Sequence, residues 1–358
     1  MGDRAIPARE ARPTLAAVAA RAGVSPSTAS LAFSGTGPVS DATRARVLAA
    51  AAELDYAGPD PVARSLRRGR SGVVAVVTED RLEDAFRDPM NLAVLDGIGE
   101  AFGDERLGLL VLPLVGSDRM ELLDAAMDAA ILLGCGTDLV ATVGALRRRR
   151  VPIVGIETAP SEGVIAVALD NRDASRRGAE LLRGLGHRDA AVVTLPLESS
   201  RGLQPLTPER VAASSAFVAT QRLAGVREVF PNATGIAAPS SSVADGLLAG
   251  RALLDVPPDR RPTAIIAQSD LLAAGVLAAA EEFGIAVPGQ LSLVGFDGVR
   301  FDGTGVPELT TLVQPASEKG RAAGLAVLAA LAGDPPRGSA LTSVLRLGAT
   351  TGPAPAGS

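Results

Sequence analysis

Beyond Gly72 the chain alternates short apolar runs with longer amphipathic stretches, and few folds accept that rhythm. The runs are Val73–Val77, Leu109–Leu114, Ala130–Leu133 and Pro152–Ile156, then Ala190–Leu195, Thr263–Ala267 and Leu291–Phe296. Between them lie helical patterns at Pro89–Phe102, Asp138–Arg149, Asp173–Leu185 and Leu271–Phe283. Strand–helix alternation of this kind predicts parallel sheets covered by helices. Two series in one chain predict two lobes with a cleft between them. Open α/β sheets bind ligands at strand C-termini, so those ends are expected to face the cleft. A chain of 358 residues, 47% hydrophobic and 21% charged, has enough apolar material for two or three domains and is not disordered.

The first seventy residues follow a different pattern. Leu15, Val18, Ala19 and Ala22 recur at helical spacing behind Thr14, which can cap the helix. Gly23 ends that helix, and Val24 is free to bury itself in the turn. Ser25 caps a second helix with Pro26 at its first position. Ala29, Ala32 and Phe33 face inward; Pro26, Ser27, Leu31 and Ser34 face outward. A third helix is expected from Ser40, packing through Val47, Leu48, Ala51 and Leu54. Two helices joined by so short a turn cross steeply, which lets the second enter a major groove.

Charge separates the two regions. Residues 1–70 hold ten Arg against six Asp and Glu, a charge of +4; the whole chain is −5, so the remainder carries −9. A basic end on an acidic body suits contact with phosphate. One cysteine, Cys135, and one histidine, His187, exclude a disulfide framework and a Cys- or His-based metal cluster. Gly134-Cys135-Gly136 lacks the third glycine of a dinucleotide fingerprint, so no cofactor is expected. His187 follows Gly186 at a helix end and is predicted at the surface. No apolar run reaches 18 residues and no signal-peptide pattern opens the chain, which predicts a cytoplasmic protein without membrane partners.

Five features stand in order: the helix-turn-helix, Pro61–Arg68 (PVARSLRR), Ser269-Asp270 after a strand, Leu291–Asp297 (LSLVGFD) and Leu309–Pro315 (LTTLVQP). In this order the chain resembles the LacI/GalR family of bacterial transcriptional regulators over nearly its whole length. The resemblance implies an all-α helix-turn-helix head over residues 1–58 and a hinge helix with linker over 59–71. It implies a two-lobed, periplasmic-binding-protein-like α/β effector domain with parallel sheets over 72–352. Lobe one takes about 72–168 plus 316–341, lobe two about 169–313 plus 342–352, and 353–358 form a flexible tail.

For DNA, the recognition helix is expected to present Pro26, Ser27 and Leu31 to base edges and Thr28 and Ser30 to phosphates, with the caps Thr14 and Ser25 also among the DNA-binding positions. Family members often carry Arg where this chain has Leu31. That leucine suits either a thymine methyl or a place capping the helical core. Pro61–Arg67 matches the hinge helix, opened by Asp60 and Pro61. A segment that short is unstable alone, below the roughly 12 residues that make a helix marginal in water. By resemblance it orders on DNA beside its twin, with Leu66 as a minor-groove wedge and Arg64, Arg67, Arg68 and Arg70 on the backbone.

For the ligand, the Asp matching Asp297 accepts hydrogen bonds in the family; an Asp-Gly turn with Gly298 is the plainer reading. Arg210 matches the family's ligand-binding Arg, with Ala213 where a Gly usually follows. Ser269 is placed to contact ligand and Asp270 either to do so or to cap a helix; Gln314 lies in a crossover between lobes. The loop Pro239–Val243 lacks the aromatic residue on which sugars often stack. Phe296 and Phe230 could substitute but also suit the core. Glu79 and Asp80 could face a polyol or a cation, or form a solvated loop. A sugar is the family's default effector.

The resemblance therefore implies a homodimer on a near-palindromic operator. It would repress a transport or carbohydrate-catabolism operon, with ligand closure altering DNA affinity. No leucine heptads follow Thr351, so a coiled-coil tetramer is not expected. The rivals are a solute-binding protein of the same two-lobed fold and a Rossmann-like enzyme. The basic head argues against the first, and no nucleophile–base pair supports the second.

Overall fold

The computed structural model describes residues 13–35, 37–58, 69–78, 82–114, 122, 124–134, 139–198, 202–301, 303 and 305–355. The expected hinge residues Arg64, Leu66, Arg67 and Arg68 lie outside them, as do Glu79, Asp80 and Cys135. The chain divides into two compact units, residues 1–71 and 72–358.

In the first unit, α1 (Leu15–Ala22), α2 (Pro26–Ser34) and α3 (Asp41–Glu53) enclose a core of Val18, Ala19, Ala29, Ala32, Val47, Ala50 and Ala51. The expected caps form. Thr14, Ser25 and Ser40 accept hydrogen bonds from the backbone N–H of Ala17, Thr28 and Thr43. Gly23 ends α1 in the left-handed region at φ 67°. Leu48 corrects the expectation for α3, being 47% exposed. Positions 47, 50, 51 and 54 share one helical face, and Leu48 stands a step off it.

The second unit holds two sheets. The first runs in the order β12-β5-β4-β3-β1-β2, with β1 (Val73–Thr78), β2 (Gly108–Pro113), β3 (Ala129–Leu133), β4 (Ile153–Ile156), β5 (Val164–Leu169) and β12 (Ser339–Leu341). All its neighbours pair in parallel. Helices α4 (Leu82–Ala85), α5 (Pro89–Phe102) and α6 (Leu139–Arg148) follow its strands, and α12 (Ala316–Ala332) packs on α5. Gly320 permits that contact: a Cβ there would sit 2.0 Å from the Val94 carbonyl oxygen. Separate apolar clusters fill the two faces of the sheet.

The second sheet runs β13-β11-β10-β9-β6-β8-β7. Its strands are β6 (Ala191–Thr194), β7 (Gln204–Pro205), β8 (Thr234–Ala237), β9 (Ala264–Ala267), β10 (Ser292–Asp297), β11 (Thr310–Val313) and β13 (Val344–Arg346). Only its edge strands β7 and β13 pair antiparallel. Its helices are α7 (Asn171–Gly184), α8 (Pro208–Ala213), α9 (Phe217–Val229), α10 (Val243–Leu254) and α11 (Asp270–Glu282). The sheet is apolar on both faces, as a parallel sheet between helices must be.

The chain passes between the sheets after β5, after β11 and after β12. Asp170 and Arg177 lace two of these crossings together. The Ser343 N–H donates to Asp170 Oδ1 at 2.7 Å, and Arg177 Nη2 donates to Asp170 Oδ2 at 2.8 Å and to the Ser343 carbonyl at 2.7 Å.

His187 is not at the surface. It is 1% exposed, with Nδ1 2.9 Å from Thr263 Oγ1 and Nε2 3.0 Å from Ser292 Oγ. Its backbone N–H bonds Leu182 just past α7, and that turn tucks the ring against the second sheet. Burial lowers its pKa below the usual histidine value, with the Gly352 carbonyl opposing.

Candidate effector cleft and DNA-reading face

A DNA-reading helix must leave one face free, and α2 does. Pro26, Ser27 and Leu31 are exposed while Ala29 and Ala32 are buried. Thr28 and Ser30 are half-buried at the edge of that face, and Ser25 and Thr28 also share a hydroxyl contact at 2.9 Å. Leu31 is 37% exposed and lies beside Gly37, so it combines an outward surface with a loop contact.

In the second unit, ionisable groups gather where the lobes meet. Glu157 leaves β4 of the first sheet, and Asp297 ends β10 of the second. Both have left-handed backbones, φ 56° and φ 120°, which non-glycine residues adopt at a cost. Arg222 reaches them from α9. Its Nη2 is 3.7 Å from Glu157 Oε1 and its Nη1 3.7 Å from Asp297 Oδ1. Its Nε donates to Asn171 Oδ1 at 2.7 Å and its Nη1 to the Gln268 carbonyl at 2.5 Å. The guanidinium lies 3.5 Å above the Phe296 ring centre, a cation–π contact that covers that ring. Asn171 Nδ2 donates to Glu157 Oε1 at 2.7 Å, which ties lobe two to lobe one.

Lys319 enters from α12 and donates to Glu157 Oε2 at 2.5 Å and to Gln314 Oε1. Gln314 Nε2 donates to Asp297 Oδ1 at 2.5 Å. Glu157, Asp297, Arg222, Lys319, Gln314 and Asn171 are all at most 9% exposed. Burial alone would raise the Glu157 pKa, but Lys319 and Arg222 outweigh it and hold the carboxyl below its ordinary range. Asp297 goes the other way. Burial pushes it well above the carboxylate range, Arg222 opposes, and the Asp270 and Asp88 carboxylates add to the rise.

Of the residues expected to bind ligand, the structure brings Asp297 and Gln314 together. Ser269 is the N-cap of α11, accepting from Leu272 N–H at 3.2 Å and from the Ser241 hydroxyl at 2.8 Å. Asp270 therefore does not cap that helix. Its carboxylate accepts from the Gly298 and Val299 N–H groups at 2.7 Å each and from the Thr311 hydroxyl at 2.6 Å. It braces the turn that aims Asp297. Burial raises its pKa to about 6, against those three hydrogen bonds. In the Pro239–Val243 loop, Ser242 caps α10.

Arg210 stands apart from the cluster. It lies in α8 with Nη1 2.7 Å from Glu198 Oε1, beside a shallow recess at the ends of β6 and β8 lined by Leu197, Gln204 and Ala237. No described contact joins it to Asp297. The interval expected of the ligand arginine, with glycine three residues later, occurs instead at Arg222-Leu223-Ala224-Gly225. Gly225 is needed there because a Cβ would sit 2.0 Å from the Arg172 carbonyl oxygen of α7. That close packing of α9 on α7 delivers the arginine to Asn171. Glu157, too, carries the signal that pointed to Asp297, a carboxylate closing an apolar strand.

Comparison with known proteins agrees with this anatomy. The model described as bacterial regulatory proteins, lacI family, matches residues 14–58, and the periplasmic binding protein-like domain matches residues 179–351. The HTH-type transcriptional regulator Rv3575c of Mycobacterium tuberculosis is 34% identical, covering 97% of this chain and 99% of that protein. The HTH-type transcriptional repressor CytR of Escherichia coli is 30% identical, covering 89% and 90%. The solved complex of the transcriptional regulator CelR with cellobiose matches with a TM-score of 0.65 at 25% identity, covering 95% and 100%. Among the described residues no helix is long and apolar enough to cross a membrane.

Proposed function

Because the chain belongs to the LacI family of bacterial transcriptional regulators, we propose that the cluster around Asp297 and Arg222 is its effector site and that it represses transcription as a homodimer. It is a ligand-responsive, DNA-binding transcriptional regulator. The observation that carries the site is convergence: strand ends of both sheets, three helices and a crossover send polar side chains to one buried place. Burying that many charges stabilises a fold poorly. It is well suited to a site that trades internal hydrogen bonds for those of a ligand.

The α2 face would read a half-site through Ser27 and Leu31, with Thr14, Ser25, Thr28 and Ser30 near phosphates. Residues 59–71 would serve as the hinge, with Arg64, Leu66 and Arg67 in the minor groove, and the protein would act in the cytoplasm. Repression is supported by CytR, a repressor by name. A polyhydroxylated effector is supported by CelR, solved with cellobiose, and by a cluster rich in both donors and acceptors. Ligand bound between the lobes would shift the spacing of the hinge segments and hence operator affinity.

The test is selection of genomic fragments by the full-length protein, followed by effector titration on the recovered site. A near-palindromic site is expected, with Asp297→Ala binding it like wild type yet losing at least tenfold in effector response. An unchanged dose response in that variant would move the effector site elsewhere.

A further inference from the structure

Lys319 is the single lysine among 35 basic residues, and it is 3% exposed at the junction of the lobes. A chain that uses arginine everywhere else keeps an ammonium here. The chemistry differs: an ammonium is a compact charge with three donors, whereas a guanidinium is a broad planar fork. Two of the three N–H groups are engaged, by Glu157 Oε2 and Gln314 Oε1. The third meets no acceptor among the described residues. Across the same Gln314 amide, Asp297 uses Oδ1 for Gln314 and Arg222, while its Oδ2 accepts from no described residue. One unused donor and one unused acceptor are thus held an amide's span apart. Asp297 Oδ2 is not sealed from solvent, so a ligand oxygen can take the place of water beside it.

We propose that Lys319 is a specificity-determining residue of the effector cleft, donating its remaining N–H to one oxygen of a polyhydroxylated effector whose neighbouring hydroxyl donates to Asp297 Oδ2. This rests on the cleft being the effector site. The covered Phe296 ring leaves recognition to polar groups rather than stacking at that point.

The single lysine makes the test clean. Full-length protein with lysine-selective ε-carbon-13 labelling gives one side-chain signal, to be titrated with ribose, glucose, galactose, cellobiose, sorbitol and a cyclitol. At least one compound should move that signal saturably. Lys319→Met should weaken the same compound at least tenfold, and Lys319→Arg should restore only part of the loss. The pair Glu157→Gln with Lys319→Met removes both charges together and should fold, yet still bind weakly. Asp297→Ala should abolish binding. A lysine signal unmoved by every compound overturns the proposal. So does full affinity in Lys319→Met; if Asp297→Ala then still loses binding, the cleft reading survives without Lys319. Binding untouched by Asp297→Ala overturns the cleft reading itself.

Discussion

Arg222 and Arg210 lie on successive helices of the same lobe and each faces a carboxylate, yet they work in different media. Arg210 meets Glu198 with the two side chains 33% and 37% exposed. Arg222 meets Glu157 and Asp297 with all three below 10%. Water screens the first pair and lets either member leave. In the second, hydrogen bonds to Asn171 and Gln268 and two carboxylates at 3.7 Å hold the guanidinium in place. An arginine pre-set in this way can read a ligand without first being ordered.

The largest expected effect separates these two. Arg222→Ala takes the cation from Asp297, leaves Glu157 with Lys319 alone and removes the bonds to Asn171 and Gln268, and should cost about 3–5 kcal/mol. Arg210→Ala breaks a screened pair and should cost about 0–1 kcal/mol. Chemical denaturation of both variants side by side checks this. Equal losses would erase the distinction and return Arg210 to the site.

The same contrast explains what could be read from the sequence. Seven strands, β1 to β4, β6, β9 and β10, stood out as apolar runs, as did several helices between them, whereas the interior strands β5, β8 and β11 were not read as strands. The short edge strands β7, β12 and β13 were not either, because half-exposed strands of two or three residues carry no apolar run. Asp297 was legible because it closes a strand inside a recognisable motif, and the caps Thr14 and Ser25 because capping is local chemistry. Arg222 was missed because an arginine in a helix reads as solvated; its burial depends on Gly225 letting α9 approach α7, a tertiary fact. Lys319 lies in an ordinary helical pattern, where nothing local marks its partners in β4 and the crossover.

A smaller effect contrasts the head with the body. The head's core is built largely from alanine and valine, so its helix caps matter more than those of the large lobes. Ser25→Ala removes the acceptor for the Thr28 N–H and should cost about 1 kcal/mol, whereas Ser25→Gly should cost only about a few tenths. Amide hydrogen exchange along α2 measures both. Equal protection in the two variants would place the stability of α2 in its packing rather than its cap.

The smallest effect is a pH dependence that sets His187 against the cleft carboxylates. Burial lowers the His187 pKa below 6.5, so the unfolded chain binds the proton more readily than the folded one. Its stabilising contribution is therefore complete above about 6.5 and fades as pH falls below that value. Asp270 works in the opposite sense. Raised to about 6, it contributes most below the ordinary carboxylate range and loses that contribution as pH rises through 6. Between pH 6.5 and 5 the two slopes oppose, and the net profile of the wild type should be shallow. Replacing the histidine by Gln, which can still bond Thr263 and Ser292, should expose the carboxylate slope alone, with stability rising as pH falls across that interval. Thermal unfolding of His187→Gln and wild type from pH 7 to 5 reads the difference. Parallel curves would mean that the buried imidazole takes up its proton as easily folded as unfolded, and that the hydroxyls around it accommodate the charge.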